Sequence, residues 1–262
     1  MNENGRNFPQ LVRAVGRQLE KAAEHSGQIV ARCRGWLHLL GPLAAPLDAT
    51  LAALDRAAAD AYAQVRPMLA DPGDPLALWQ AADRWRTTVA APVGTRVASF
   101  TADFVHADDH WRGSAATAYR NTLPSQHAAL ELTESVAADT ADSLRTASAV
   151  LAAYWSALIS AATGLATSLA VAAAATTAPL TAPAGAALAL AALEEFMAAE
   201  KVLNHALHRE LDQVRRKQFA LLGRLTDGTV YPGGHWPVSA TDTVADASLS
   251  DGDPLDWSLT GP

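Results

Sequence analysis

The chain has a single cysteine, Cys33, and few aromatic residues. Aromatic residues make up 6% of its 262 residues. One cysteine excludes an internal disulfide, so the sequence gives no indication of a redox compartment. Valine, isoleucine and aromatic residues, which favour strands, are sparse, whereas alanine, the best helix former, dominates the hydrophobic half of the sequence. The composition therefore predicts an all-α protein that is long enough to bury a core.

Motifs that carry catalysis or phosphate binding are also absent. The chain has no Gly-x-x-x-x-Gly-Lys loop, Gly-x-Gly-x-x-Gly turn, Gly-x-Ser-x-Gly elbow or His-Glu-x-x-His helix. Two histidine pairs stand at helical spacing, His106 with His110 and His205 with His208. We interpret both pairs as exposed polar faces rather than as metal ligands. The sequence predicts no enzymatic activity, no cofactor and no metal.

The chain lacks a concentration of positive charge. Its formal net charge is −7, and its isoelectric point is near 5.6. Phosphate binding needs a basic surface, so nucleic acid is excluded as an expected partner. The first 35 residues contain no apolar run of signal-peptide length, which indicates no general secretory signal.

One long stretch, 146–193, contains no Asp, Glu, Lys or Arg. Its first arm exceeds the roughly 20 apolar residues that a helix needs to cross a bilayer. The arm is mainly Ala, Ser and Thr, whose transfer into lipid is only weakly favourable. Two interpretations stay open: a buried hairpin of a soluble bundle, or conditional contact with a membrane.

Apolar residues recur at three- and four-residue steps, which is the spacing of one helix face. The predicted helices cover 8–40, 47–69, 75–109, about 114–177 and 186–225. Pro92 is expected to kink the third helix because proline removes a backbone hydrogen bond. The fold expected is an elongated antiparallel bundle of about five helices.

The same pattern divides the chain into three segments. Residues 1–72 form an N-terminal helical hairpin, and 73–226 form a second hairpin with a return helix. From Asp227 onward there are six Asp and no Lys or Arg, so 227–262 is predicted to be a flexible acidic tail. Trp236 and Trp257 are unusual for such a tail, and they either fold back on the bundle or bind a partner.

The reversal inside the second hairpin is predicted at Trp111-Arg112-Gly113. A bulky anchor followed by a residue free to adopt positive φ suits a tight turn between antiparallel helices. Beyond the turn, leucines fall on a seven-residue grid of the kind that packs against a neighbouring helix. This helix-pairing seam consists of Leu123, Leu130, Leu144, Leu151, Leu158 and Leu165.

The region from Asp74 to about Thr177 resembles the Trp-x-Gly (ESAT-like) helical-hairpin family, which type VII secretion systems of actinobacteria and firmicutes export. The matching residues are Gly73-Asp74-Pro75 with Trp79 and Trp85, and Trp111-Arg112-Gly113-Ser114-Ala115-Ala116-Thr117-Ala118-Tyr119. Members of this family carry a Tyr-x-x-x-Asp/Glu export signal after the hairpin, and no tyrosine here satisfies it. Phe196 and Glu200 have the right separation for a degenerate version.

The resemblance implies a non-enzymatic protein associated with type VII secretion, either exported or acting as the helical leader or partner of an exported effector. Its expected partner is a Trp-x-Gly-type heterodimer partner, the secretion machinery or a second copy. Its expected location is outside the cell or in the cell envelope, with the cytoplasm as the alternative. Two other functions stay open: a membrane-active or pore-forming protein that inserts 146–193, and a cytosolic helical scaffold or adaptor.

Overall fold

The computed structural model describes residues 8–103 and 114–238 of the chain, with side chains for 8–100 and 117–238. Within these residues the secondary structure is helical, with short 3₁₀ and irregular turns and no β-strand. The predicted all-α class is therefore confirmed. The α-helices of this part of the chain are α1 (Phe8–Trp36), α2 (Ala44–Ala70), α3 (Pro75–Arg84), α4 (Ala91–Asp103), α5 (Ser114–Ala175) and α6 (Ala182–Leu225).

Four of these helices are long, so the expected count of about five helices is wrong. The exception is the predicted third helix, which a π-helical segment, Trp85–Ala90, divides into α3 and α4. Pro92 follows this segment and has no N–H to donate to the carbonyl of Thr88, so the regular hydrogen-bond ladder cannot continue through it. In contrast, α5 runs through Pro124.

The described helices belong to two compact units. Unit 1 consists of Met1–Ala77 and Ala147–Asp212, and unit 2 consists of Leu78–Thr146 and Gln213–Pro262. Both α5 and α6 contribute to each unit, because the boundaries fall inside these helices. The units therefore cut across the segments 1–72, 73–226 and 227–262 of the sequence pattern.

The core of unit 1 forms where α1 and α2 pack with the second part of α5 and the first part of α6. Trp155 lies at its centre and is 1% exposed. The indole Nε1 of Trp155 donates a hydrogen bond to the carbonyl of Pro72 at 3.1 Å. Phe8 packs against Trp155 edge to face, with ring centroids 6.0 Å apart. The first residue of α1 thus anchors to α5, and the bond to Pro72 fixes the chain that follows α2.

In unit 2, the first part of α5 runs antiparallel to α3 and α4. Arg86 pairs with Asp142 at 2.5 Å, and farther along the ring of Phe100 lies 5.9 Å from that of His127. Arg224 of α6 joins the same face of α5 through Asp139 at 2.9 Å. Exposed ion pairs of this kind contribute little stability, about 0–1 kcal/mol each. The buried residues of these helices in unit 2 are mostly alanine.

Residues 227–238, which the sequence assigned to the flexible tail, contact α5 in unit 2. The hydroxyl of Tyr231 donates to the carbonyl of Ala129 at 2.9 Å and lies 2.6 Å from the hydroxyl of Thr133. The amide of Gln126 donates to the carbonyl of Pro237 at 2.9 Å. The remainder of the predicted tail lies outside the described residues.

Gly185 lets the start of α6 approach the end of α5 closely. A Cβ at this position would lie 2.7 Å from Cγ2 of Thr176 and 2.9 Å from the backbone carbonyl of Ala172. Backbone cannot move aside as a flexible side chain can. We therefore expect Gly185→Ala to lower the free energy of unfolding of unit 1 by about 1–2 kcal/mol through overpacking.

Gly164 of the same unit provides the matched control for this substitution. A Cβ at Gly164 would meet no atom within 4 Å. Because alanine is a better helix former than glycine, Gly164→Ala should raise the stability by up to about 1 kcal/mol. Urea unfolding followed by circular dichroism measures both variants, and equal effects of the two would show that the close contact at Gly185 is unimportant.

Candidate functional site

The predicted turn motif is described only in part. Trp111 and Gly113 lie outside the described residues. Tyr119, the third residue of the motif, is partly buried near the start of α5. The helix itself begins at Ser114, directly after Gly113.

The six leucines of the predicted seam divide between the two units. Leu123, Leu130 and Leu144 belong to unit 2 and are partly buried. In unit 1, Leu158 and Leu165 are 0% and 4% exposed and form part of the core, with Leu151 packed against it. The second half of the seam thus packs against the chain's own helices.

The two residues that the sequence suggested as a degenerate export signal, Phe196 and Glu200, lie inside unit 1. Phe196 is 4% exposed and Glu200 is 2% exposed. A signal that another protein reads must present its side chains at the surface, so this pair is inaccessible while unit 1 is folded. The spacing of four that suggested the signal also places both residues on the buried face of α6.

Glu200 is the most buried acidic side chain of the described residues, and its neighbours on α5 and α6 form a small polar cluster. Its Oε1 accepts a hydrogen bond from Nδ2 of Asn204. Burial raises the pKa of Glu200, and the bond from Asn204 and the charge of Lys201 lower that pKa by smaller amounts. The carboxyl group is therefore held closer to its neutral form than an exposed glutamate.

Tyr154 of α5 shares this environment. Its hydroxyl donates to the sulfur of Met68 on α2. Burial raises the pKa of Tyr154, and the negative charge of Glu200 raises it further. Tyr154 therefore stays neutral at all physiological pH values, and Glu200 is the group of this cluster that can change its charge.

One small, partly open pocket of unit 1, beside Leu19, Ser26 and Leu165, has a volume of about 30 Å³. In the described part of the chain no group of three or more His, Cys, Asp or Glu could hold a metal ion. His205 and His208 are both exposed on α6, and His106 and His110 lie outside the described residues.

Trp236 lines an open groove beside α5 in unit 2. The indole is 42% exposed, and the groove has a volume of about 810 Å³. The other lining residues come from α5 and from the segment that Tyr231 anchors. They are Ala118, Asn121, Thr122, Ser125, Pro232, His235, Pro237 and Val238. Of the two interpretations of Trp236, the position against α5 corresponds to folding back on the bundle.

The sequence did not predict the hydrogen bonds that side chains of α1 donate to carbonyls at the end of α5. Nη1 of Arg32 donates to the carbonyl of Ala173 at 2.8 Å, and Nε1 of Trp36 donates to the carbonyl of Thr176 at 3.1 Å. Both donors lie on α1, far away in sequence. A Trp and an Arg one turn apart at the end of a helix were the available signal, but nothing in the sequence identified their acceptors.

Two described helices are long and apolar enough to cross a membrane by length and composition. They cover Thr117–Ala175 and Ala182–Leu225, with mean hydropathies of 1.7 and 1.3 over their most apolar windows. Core helices of soluble proteins meet the same criterion. Here 39% and 33% of the residues in those windows are buried.

Comparison of the chain with protein families, with curated proteins and with solved structures finds no match.

Proposed function

We propose that this chain is a non-enzymatic protein associated with type VII secretion, which acts by helix–helix pairing as an exported substrate or as the helical leader or partner of an exported effector. One observation carries the proposal. The contacts between α3–α4 and α5 join residues that are progressively closer in sequence, from Asp83 with Arg145 to Phe100 with His127. This register supports a helical hairpin whose reversal falls near Trp111-Arg112-Gly113, where the family has its turn.

The partner surface that fits this proposal lies in unit 2. The second half of the seam, from Leu151 to Leu165, packs in the core of unit 1. The first half, Leu123, Leu130 and Leu144, is only partly buried. A helical partner would cover the exposed sides of these three leucines, as in a short coiled-coil contact. Because Phe196 and Glu200 are buried, an accessible export signal would have to come from that partner.

The test is export and partner binding in a host that carries a type VII system. Trp111→Ala and Gly113→Val should each lower the exported fraction and the recovery of a co-purified partner about tenfold, which corresponds to roughly 1.4 kcal/mol of pairing free energy. Tyr62→Ala removes a partly exposed aromatic side chain on α2 of unit 1, away from the turn and from unit 2, and serves as the control. Normal export and binding by both turn variants would contradict the proposal and favour a cytosolic helical scaffold.

A second candidate function is membrane activity through 146–193, and the apolar windows of α5 and α6 favour it. Insertion of this hairpin would remove Trp155 and Leu158 from the core of unit 1. Full-length protein that stays with liposomes after alkaline carbonate extraction would support insertion. Complete release by carbonate would contradict it.

A further inference from the structure

Two connections of unit 1 lie at the same end of the unit. Leu37–Leu43, the 3₁₀-turn region between α1 and α2, directly follows Trp36, and the turn 176–181 joins α5 to α6. The hydrogen bonds from Arg32 to Ala173 and from Trp36 to Thr176 tie the last turn of α1 to the last turn of α5. Cys33 adds a third contact, from its Sγ to the carbonyl of Ala182 at 3.7 Å. These bonds hold both connections together.

Three leucines project from this end, which we call the leucine end: Leu39, Leu43 and Leu180. They are 58%, 55% and 91% exposed. The surrounding sequence is uncharged, because neither 35–47 nor 146–193 contains Asp, Glu, Lys or Arg.

The carbonyls at the end of α5, beside the leucine end, receive hydrogen bonds from within the protein. The hydroxyls of Thr177 and Thr181 donate to the carbonyls of Ala174 and Ala175 at 2.9 and 2.5 Å. The carbonyls of Ala173 and Thr176 receive the bonds from Arg32 and Trp36 described above. A helix C-terminus in water can leave its last carbonyls to solvent, whereas one in an apolar environment must satisfy them internally.

We propose that the leucine end docks on the surface of a lipid bilayer while unit 1 stays folded. Exposed leucines, flanking stretches without charged residues and internally bonded carbonyls together suit a medium that takes up apolar side chains and offers few hydrogen bonds. Leu180 stands on a turn with 91% of its surface exposed, so it could enter a bilayer without any rearrangement of unit 1. The inference goes beyond both functions proposed above, because it requires neither export nor insertion of the hairpin.

The lipid that fits is zwitterionic. The net charge of −7 opposes approach to an anionic surface, and the guanidinium of Arg32 at this end is bonded to the carbonyl of Ala173. Binding should therefore depend mainly on apolar contact, with the leucines entering about 5–10 Å into the headgroup and acyl boundary. Trp36, partly buried beside Thr176, has the amphipathic character that suits this depth.

The test is flotation of the full-length protein with phosphatidylcholine vesicles. Wild type should float with the vesicles, and the double variant Leu39→Asp/Leu180→Asp should bind at least about tenfold less, because aspartate is strongly disfavoured in the bilayer. Val202→Asp is the control: Val202 is 68% exposed on α6 of unit 1 and lies outside the leucine end. All three proteins should give the same circular dichroism, since each substitution is at an exposed site.

Three results would overturn the proposal. The first is wild type that fails to float with phosphatidylcholine vesicles, and the second is equal binding by wild type and the double variant. The third is equal loss of binding by Val202→Asp. Alkaline carbonate separates docking from insertion, because docked protein is released and an inserted hairpin is retained. Retention would therefore contradict docking and support the membrane-active function, whereas export assays test the secretion proposal independently.

Discussion

Trp155→Ala is expected to lower the free energy of unfolding of unit 1 by about 3–5 kcal/mol, the usual cost of removing a buried aromatic side chain. Trp155 is 1% exposed and packs edge to face with both Phe8 and Tyr154. Its replacement would leave a cavity between α1 and α5. It would also leave the carbonyl of Pro72 without the indole hydrogen bond.

Chemical unfolding of the full-length variant, followed by circular dichroism, measures this loss. Trp85→Ala is the matched control, because Trp85 is 41% exposed in the π-helical segment of unit 2. We expect the control to change stability by less than about 0.5 kcal/mol. A Trp155→Ala variant as stable as the control would mean that the core of unit 1 is not organised around this indole.

Glu200→Gln is expected to stabilise the protein at neutral pH by about 1–3 kcal/mol, because burial disfavours the charged form of the wild-type side chain. The uncharged amide avoids the burial of a charge, and its oxygen still accepts the hydrogen bond from Asn204. At acidic pH the difference between wild type and variant should shrink, since Glu200 is then neutral in both the folded and the unfolded state.

The direction of the pH dependence follows from the raised pKa of Glu200. Below its ordinary pKa of 4.5 the carboxyl is protonated in both states, and the stability is fully present. As pH rises above that value, the unfolded chain loses the proton first, so stability declines until pH passes the raised pKa of the folded state. Above that point both states are ionised and the loss is complete.

Unfolding free energies measured across this pH range test the linkage. Glu200→Gln should remove the decline that begins above pH 4.5. Glu195→Gln is the control, because Glu195 is exposed on the same helix. If the two variants had identical pH profiles, Glu200 would not be the group responsible.

The helices could be predicted from the sequence because their signals are local. Apolar spacing placed α1 and α2 to within a few residues. The segment near Pro92 was harder: proline predicted a disturbance, but the π-helical form that divides α3 from α4 depends on how the preceding turn rearranges. The predicted third helix is therefore two shorter helices, α3 and α4, in the structure.

The features of the site could not be predicted to the same extent, because they depend on contacts distant in sequence. The spacing of Phe196 and Glu200 fits both an exposed signal and a buried helix face, and only the packing of α6 distinguishes them. The acceptors of Arg32 and Trp36 lie on α5, more than a hundred residues away. No sequence period connects such positions.

The interleaving of the two units has a consequence for synthesis on the ribosome. Unit 1 needs Ala147–Asp212 to complete it, yet α1 and α2 are translated well before those residues. At elongation rates of about 5–20 residues per second the delay is on the order of ten seconds. During that interval the apolar faces of α1 and α2 lack their final partners, and a chaperone or a translocase has time to capture the nascent chain before its first unit closes.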